Sequence, residues 1–532
     1  MPPIFKKHNE DFEKRNCPLC DSSNYESIDS FYDMYGIDKS MLNYISKYLD
    51  NIKKTAYIDS ENLENLVLYK DLNSDFVKNF LFKRGVKRIK KTFIVKHIFI
   101  FYLRSMTKLF LYSIEYMIFK IFGKKSDVNW DQNLCLIDVY FLVNNIVKDG
   151  KFQEKYFGVL YEVLKKYNKN YIFLPRIYKD AKNPFKLIKL FNITNKDSCN
   201  TFLYEYELLD VVDIFKIFIF IIRYPFKQFK LMQNNGHEID AYFNYELFNV
   251  LSVTSFSVYV RYLIGKKIAG RVGGNLKIIS WQEFQGIEKS FNKAIKESSK
   301  NIVIYGCELL VGYQAYINMH ITDVDVDLKI TPHQTLLNGR CNYSNSKSHV
   351  FRKGVSLRYS GLFKYTDNIK KNAKPLALMG YDISEGLNIL KSVSFLEDLN
   401  IKIHPTTNEK QFHKYKKCNW NYIYSDLYEA LQGVSVVFTP SFSGTALEVV
   451  AYGVSTVIIA SESSLTNPLV SYGKGEIWDI AFNSDDARRQ YNELLEYRNH
   501  NPKRVRDVAC WYKENFFIEP TEENIVKAFE LG

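Results

Sequence analysis

The sequence predicts an α/β protein in which two units of alternating strands and helices follow a mostly helical amino-terminal extension. Short buried-strand patterns alternate with helical patterns in the middle of the chain, and the same alternation resumes in its last third. A polar stretch over residues 342–353 separates the two patterns and is typical of a crossing between lobes. We therefore expect a basic extension over residues 1–126, a first lobe over 127–344, and a second lobe with closing helices over 345–532.

Composition indicates a large globular protein with an anionic partner. The 532 residues suffice for several cores, and 46% hydrophobic with 25% charged residues is typical of globular chains. A net charge of +13 favours nucleic acid, a membrane surface, or nucleotide and acidic-sugar ligands. Eight scattered cysteines form no compact disulfide framework, and the charged first residues lack the apolar core of a signal peptide. We expect a cytoplasmic protein.

Cys17 and Cys20 have the spacing of half a zinc knuckle. No second pair of ligands follows at a suitable distance, since the next cysteine is Cys135. Two ordinary reduced thiols are therefore the preferred interpretation, and zinc binding stays open.

The extension contains a strongly basic and aromatic segment over residues 83–125. It has twelve Lys and Arg residues against the single acid Glu115, and its helical projection leaves a broad apolar face. Residues 214–230 form a second segment with the same mixture of basic, aromatic and aliphatic residues. The uninterrupted apolar runs are shorter than the ~18 residues that span a bilayer. Two interpretations follow: a helix on an anionic membrane surface, or a helix that packs on the protein's own core.

The first lobe is predicted from strand patterns interleaved with helical ones. The predicted strands are 134–142, 171–177, 202–209, 277–281 and 301–307, and the predicted helices are 153–166, 239–267 and 285–298. In the second lobe the predicted strands are 375–380, 401–404, 422–424, 434–439 and 455–460, and the predicted helices are 384–399, 425–432 and 445–452, with mostly helical structure from there to residue 532.

Glu283 follows a predicted first-lobe strand and opens a helix, where a carboxylate can face a cleft. It is the first candidate for a general base, and the alternative is a first-turn Glu that complements the helix dipole. Asp138, Glu288 and Glu308 are reserve candidates for the same role.

The second lobe contains a predicted anion site. The loop after strand 434–439 is small and polar, and the helix that follows it presents unpaired N–H groups and the positive end of its dipole. The loop residues concerned are Ser441, Ser443, Gly444 and Thr445. His404 ends an earlier strand and can face the same crevice, because parallel strands present their carboxyl ends at one edge. The alternative is a structural strand-end histidine.

The strand IKIHP (401–405) followed by PSFSGTALEVVAYGV (440–454) resembles the nucleotide-sugar-binding half of GT-B glycosyltransferases, which have two Rossmann-like lobes facing a cleft. The His-Pro pair with a serine loop resembles bacterial enzymes that use CMP-activated acidic sugars, namely sialyltransferases and capsule Kdo transferases. Upstream, WQEFQ (281–285), Asn338-Gly339 and SLRY (356–359) are similar to signatures of surface-carbohydrate transferases. The likeness spans roughly residues 130–500, and its strong part is the last third.

This resemblance implies a metal-independent glycosyltransferase with a nucleotide-sugar donor, preferably CMP-linked Kdo or another ulosonic acid, and no further cofactor. His404 would stabilise the leaving phosphate, and Glu283 would deprotonate the acceptor. Glu448 would hold the ribose, or else form a capping box with Thr445. Arg358 is either a phosphate contact or a surface charge.

The implied acceptor is a lipid-linked glycan of a capsule, O-antigen or lipopolysaccharide, at the inner face of the cytoplasmic membrane. UDP- or GDP-sugars, a sugar-nucleotide epimerase, and a membrane scaffold or nucleic-acid binder are the alternatives; nucleic acid is not an expected partner of the transferase. Asp323, Asp325 and Asp327 alternate as on an exposed strand, so we predict no metal site there.

Overall fold

The computed structural model describes most of the chain from residue 91 onward. The described residues are 91–141, 146–148, 150–177, 183–231, 251, 253–311, 321, 323–339, 346, 348–364, 373–404, 407–441, 443–460, 469 and 472–532. The predictions for Cys17 and Cys20, the start of the basic segment, and a possible crevice lining at 461–468 lie outside these residues.

Fourteen strands are described. In chain order they are β1 (Leu134–Phe141), β2 (Val147–Lys148), β3 (Lys151–Phe152), β4 (Tyr171–Ile177), β5 (Leu276–Trp281), β6 (Ile302–Cys307), β7 (Gln334–Leu337), β8 (Val350–Lys353), β9 (Leu376–Leu378), β10 (Leu399–Lys402), β11 (Trp420–Ile423), β12 (Val436–Pro440), β13 (Ser455–Ile459) and β14 (Trp478–Ala481).

The helices alternate with these strands. In chain order they are α1 (Lys91–Phe122), α2 (Leu160–Lys166), α3 (Pro184–Asn195), α4 (Glu205–Leu208), α5 (Val211–Leu231), α6 (Val253–Ala269), α7 (Gly286–Ser298), α8 (Asp323–Asp327), α9 (Ile383–Ser392), α10 (Leu427–Leu431), α11 (Thr445–Tyr452), α12 (Ser484–His500), α13 (Pro502–Phe516) and α14 (Glu522–Phe529). None of the helices in the described ranges is long and apolar enough to cross a membrane.

Two six-stranded sheets form the two lobes. The first has the order β4-β1-β5-β6-β7-β8 and the second β11-β10-β9-β12-β13-β14, with every pairing parallel. The second order is the 3-2-1-4-5-6 of the Rossmann fold. The predicted GT-B arrangement of two Rossmann-like lobes is thereby confirmed.

Each sheet has a point where the chain reverses its direction of growth. In the first sheet this point lies between β1 and β5, and in the second it lies between β9 and β12. Central strands such as β1 and β12 are buried along almost their whole length, as expected for parallel strands covered on both faces. Ligands of such sheets bind at the carboxyl ends of the strands beside the reversal.

Two glycines are required in the helical layers, one for a close contact between helices and one for the backbone conformation at a helix end. A Cβ on Gly265 of α6 would lie 2.7 Å from the Cβ of Ala294 on α7, so the two helices approach to within backbone distance there. Gly453 ends α11 with a φ of 92°, a left-handed conformation that glycine adopts without strain.

The carboxyl-terminal helices connect the two lobes. Val508 of α13 is buried in the second-lobe core, whereas Phe529 of α14 is buried in the core of the first lobe. Beyond α14, the Glu530 side chain accepts from Tyr305 Oη at 2.6 Å, and its carbonyl accepts from Lys277 Nζ at 2.7 Å. The residues that follow α14 therefore contact the first lobe.

Several predicted elements differ from the structure. The predicted helices 153–166 and 384–399 are shorter, as α2 and α9, and Leu399 belongs to β10. The predicted strand 202–209 is wrong, because only Phe202 bridges to Phe173 and α4 follows. The alternating aspartates form the helix α8 rather than a strand. The predicted crossing at 342–353 contains β8, so the expected lobe boundary falls before the last strand of the first sheet. The strand β14 lies in a region predicted as mostly helical.

We expect Phe529→Ala to destabilise the protein by about 3–5 kcal/mol, because it removes a fully buried ring and leaves a cavity. The midpoint of thermal unfolding, followed by circular dichroism, should fall by several degrees. Glu523→Ala, an exposed change on the same helix, is the control and should leave the midpoint nearly unchanged. Equal midpoints for the two variants would show that α14 does not stabilise the first lobe.

Candidate functional site

The predicted site residues of the second lobe lie at the carboxyl edge of its sheet, beside the reversal between β9 and β12. The serine loop follows β12 directly, and His404 follows β10, the strand that pairs with β9 on the other side. These are the positions at which an open α/β sheet presents a ligand site. The structure therefore brings the two predicted pieces to one edge.

The serine loop opens α11. Ser443 Oγ accepts from the backbone N–H of Thr445 at 3.3 Å, and Ser443, Gly444 and Thr445 are half-exposed. Their position at a helix amino terminus gives the loop positive potential. Ser441 differs, since its hydroxyl is buried and has no hydrogen-bond partner among the described residues.

Gly444 contacts the first lobe. A Cβ at this position would lie 2.4 Å from the carbonyl oxygen of Val311, which follows β6. The Val311 N–H donates to Tyr359 Oη at 3.1 Å, and Tyr359 lies on the 3₁₀ segment Leu357–Lys364 between the lobes. The serine loop therefore lies against the first lobe, at the junction of the two units.

Arg358 lies at this junction. It is exposed between two buried neighbours, and its guanidinium carbon lies 5.7 Å from the ring centre of Tyr156, a first-lobe residue. Its charge also acts on two second-lobe groups, because it lowers the pKa of both His404 and Glu448. Arg358 is thus a cation within range of both lobes.

His404 is half-buried beside the exposed ring of Tyr381, with ring centres 6.4 Å apart. Burial, and then the charge of Arg358, lower the pKa of His404 below its usual value. The imidazole is therefore neutral at neutral pH. A neutral imidazole still donates one N–H, so it can bind a phosphate oxygen.

Glu448 is buried on α11 and accepts from Tyr428 Oη at 2.5 Å. Burial raises the pKa of Glu448, although the Tyr428 hydrogen bond and the charge of Arg358 lower it. Thr445 is the first residue of α11 and the N-cap position is Gly444, which has no side chain to form a cap, so the capping box expected between Glu448 and Thr445 is not formed. Its predicted contact with a ribose stays a prediction.

Glu283 follows β5 at the carboxyl edge of the first sheet. Its carboxylate accepts from Trp281 Nε1 at 3.0 Å and from Gln285 Nε2 at 2.5 Å. The next residue, Phe284, has a φ of 54°, which is strained for a bulky side chain. Helix α7 begins only at Gly286, so Glu283 lies on a strained loop, not in the first turn.

Two of the reserve acids belong to a buried ion cluster in the first lobe. Arg176 contacts Asp138 at 2.5 Å and Glu288 at 2.7 Å, and Arg261 contacts Asp138 at 2.7 Å. Burial would raise the pKa of Asp138, but the charges of Arg176 and Arg261 lower it. Burial raises the pKa of Glu288 to about 7, against the charge of Arg176. Two acids and two bases balance one another here.

This cluster also supports the Glu283 loop. Glu288 Oε2 accepts from the N–H of Glu283 at 3.1 Å and from that of Gln285 at 2.8 Å. Asp138 and Glu288 therefore have structural partners that account for them. The third reserve acid, Glu308, follows β6 and is half-buried, and its carbonyl accepts from Asn338 Nδ2.

Charged groups of both lobes act on the pKa of Tyr359. Burial raises the pKa of this tyrosine, and the charges of Glu448 and Glu283 raise it further, whereas Arg358 lowers it. Tyr359 is thus influenced by acids of both lobes.

Sequence reasoning did not predict the contacts of Tyr156, Tyr359 and Tyr428 near the candidate site. A tyrosine in an aromatic-rich chain carries no local signal of its partner.

Comparisons with known proteins yield only distant structural similarities. No protein-family model and no curated protein matches the chain. Solved structures similar to it include MurG of Acinetobacter baumannii, with 11% identity over 75% of this chain and 99% of that chain at a TM-score of 0.39. The wall teichoic acid polymerase TagF shows 10% identity over 82% and 96% of the two chains at a TM-score of 0.38. An S. aureus MnaA–UDP structure shows 11% identity over 74% and 95% at 0.39. These TM-scores are low, and function is therefore inferred from the site alone.

The site can hold an anion between a cation and a helix amino terminus. Arg358, a neutral histidine and the half-exposed loop 443–445 offer donors, and the half-buried carboxylate of Glu283 in the first lobe acts on the pKa of Tyr359. This combination suits a reaction in which one group loses a proton and a phosphate departs with negative charge.

We expect Arg358→Gln to raise the pKa of His404 towards the ordinary histidine value, because a nearby positive charge that opposes protonation is removed. Carbon-13 NMR titration of labelled histidine, with the His404 signal assigned from His404→Gln, measures the change.

Arg271→Gln is the control for that titration. Arg271 is an exposed first-lobe arginine that is not among the charges acting on His404. A His404 pKa that is the same in both arginine variants would contradict the proximity of Arg358.

Proposed function

We propose that the protein is a metal-independent glycosyltransferase that transfers a sugar from a nucleotide donor to a surface glycan. The proposal is supported by the position of His404 and the α11 loop beside the reversal of the second sheet, by the charge effect of Arg358 on His404, and by that of Glu283 on Tyr359. A nucleoside monophosphate or diphosphate is a common ligand at the carboxyl edge of such a parallel sheet.

In this proposal the donor phosphate binds to the serine loop and Arg358. Glu283 takes the proton of an acceptor hydroxyl, whose oxygen forms a bond to the anomeric carbon of the sugar. The bond from that carbon to the phosphate oxygen breaks, and the electron pair stays on the phosphate. His404 donates to this departing oxygen, and the guanidinium of Arg358 offsets its charge.

The preferred donor is a CMP-linked ulosonic acid such as Kdo. The support for this choice is the His404-Pro405 pair together with the serine loop, in which the family resemblance lies. A carboxylated sugar would also suit the exposed cation at position 358. UDP- and GDP-sugars are the alternatives that the first experiment separates.

The preferred acceptor is a lipid-linked glycan of a capsule, O-antigen or lipopolysaccharide. A lipid-linked acceptor requires the enzyme to work at a membrane surface, and a nucleotide-sugar donor is a cytoplasmic metabolite. We therefore place the reaction at the inner face of the cytoplasmic membrane.

We expect CMP to raise the melting temperature more than UDP, GDP or CDP at equal concentration, because a ligand that binds only the folded state stabilises it by mass action. Arg358→Ala is the matched variant and should reduce the shift, since it removes a phosphate contact. A shift with UDP and none with CMP would overturn the ulosonic-acid donor. Equal shifts for Arg358→Ala and wild type would remove that residue from the donor site.

We expect His404→Ala to lower kcat by on the order of 10²- to 10³-fold with little change in KM, because it removes a donor aimed at charge that develops in the transition state. Ser443→Ala should instead raise KM for the donor with a smaller effect on kcat, since the backbone N–H groups of the loop remain. Steady-state kinetics with donor and acceptor varied separately measures both. Near-wild-type turnover of folded His404→Ala would exclude the leaving-group role.

A further inference from the structure

Helix α1 is apolar on two opposite sides, and one of them packs on the first lobe. Phe101 lies 5.7 Å from Tyr224 of α5, and Phe119 lies 5.5 Å from Phe191 of α3, between ring centres. Both phenylalanines belong to the first-lobe core. The packed side therefore accounts for only part of the apolar residues of this helix.

The opposite side of α1 is an exposed stripe of large apolar residues. Its members are Val95, Phe99, Leu103, Phe110, Met117 and Ile121. At about 100° per residue the six fall within an arc of about 80°, roughly opposite the packed side. At ~1.5 Å per residue the stripe is about 39 Å long. We call it the α1 stripe.

Helix α5 repeats this arrangement. Its exposed apolar residues are Val211, Val212, Phe215, Ile222 and Phe226, which fall within an arc of about 100° and form the α5 stripe. Ile217 and Tyr224 on the other side are fully buried. The two helices pack together, and Tyr102 Oη at the edge of the α1 stripe donates to the carbonyl of Ile222 in the α5 stripe at 2.9 Å. The two stripes therefore adjoin.

The charges on the two helices are of one sign where they are exposed. Lys96, Arg104 and Lys120 on α1 and Arg223 on α5 are exposed cations. The acids of the described parts of both helices are buried in the protein. Glu115 accepts from Tyr206 Oη at 2.8 Å, and Asp213 pairs with Lys216 at 2.9 Å and with Lys267 at 2.8 Å.

We propose that the α1 and α5 stripes bind the surface of an anionic phospholipid bilayer, with both helices lying in the headgroup region. Apolar residues flanked by cations are the pattern of interfacial helices, in which the apolar side enters the acyl boundary and the cations contact headgroup phosphates. Charge complementarity selects this occupant, because every exposed charge in the described parts of these helices attracts phosphate. The inference extends the membrane location proposed above but rests on observations independent of the donor site.

The test is sedimentation of the full-length protein with vesicles of phosphatidylglycerol and phosphatidylcholine, compared with vesicles of phosphatidylcholine alone. Phe99→Gln with Phe110→Gln should weaken binding to anionic vesicles by at least about tenfold, because two exposed rings that would enter the bilayer are lost. Lys96→Gln with Lys120→Gln changes the two exposed cations that lie within about 20° of the edges of the stripe, and it should weaken binding to anionic vesicles and make it less dependent on salt.

A matched pair on α1 separates the stripe from general hydrophobicity. Leu103 is 59% exposed within the stripe, whereas Leu111 is 46% exposed and lies about 80° beyond the edge of the arc. Leu103→Gln should weaken vesicle binding, and Leu111→Gln should not. Equal effects of the two substitutions would overturn the assignment of the stripe.

Two other occupants have distinct outcomes, and either would overturn the proposal. If another part of this chain covers the stripe, Phe99→Gln with Phe110→Gln lowers the melting temperature and leaves vesicle binding unchanged. If a second copy covers it, the same variant lowers the molar mass measured by light scattering. Nucleotide-induced thermal shifts of this variant report on the donor site separately, so failure of the membrane proposal and failure of the transferase proposal are distinguishable.

Discussion

The site depends on the backbone contact between Gly444 and the Val311 carbonyl. No side chain fits between them, since a Cβ would lie 2.4 Å from the carbonyl oxygen. Tyr359 fixes the other side of Val311 by accepting its N–H, and its neighbour Arg358 is thereby presented at the junction. The crossing segment is fastened again at Ser356, which donates to the Asn338 carbonyl and accepts from the Ile518 N–H. The position of the serine loop, and with it the proposed anion site, follows from these few contacts.

The acids of the first lobe divide between a closed, buried cluster and the Glu283 loop at the carboxyl edge of the sheet. Asp138, Arg176, Glu288 and Arg261 neutralise one another inside the first lobe, where unpaired charges would be costly. Glu288 also accepts a hydrogen bond from the N–H of Glu283, so the closed cluster positions the half-buried acid at the carboxyl edge of the first sheet. The sequence ranked Glu283 first and kept Asp138 and Glu288 as reserve candidates, because each of them could reach the same cleft. Burial distinguishes them, because acids that already have buried cationic partners are poor bases for an incoming substrate.

The sequence correctly predicted those elements whose structure is decided by a local signal. The β-branched run of β12, the small polar loop and Gly453 predicted strand, loop and helix end correctly, because each depends on near neighbours in the chain. The strands β7 and β8 were missed, since QTLL and VFRK have no clear alternation and are strands through pairing with their neighbours. The aspartates of α8 alternate like a strand, yet they form a helical turn whose Asp323 accepts from Ser346 and Ser348. The contacts of Tyr428 with Glu448 and of Tyr359 with Val311 join distant segments, and no local pattern encodes them.

The amphipathic pattern of α1 illustrates why periodicity alone left two interpretations open. A helix with one apolar side must either pack on its own protein or bind elsewhere, but α1 has two apolar sides, and the structure assigns one of them to the first-lobe core. The same core holds β5, at whose carboxyl end Glu283 lies. The exposed stripes and the proposed acceptor base therefore belong to one packed unit. If the stripes bind a bilayer, the lobe that faces the lipid is also the lobe that receives the acceptor, which is the arrangement that a lipid-linked acceptor requires. The donor can then enter at the second lobe from the aqueous side.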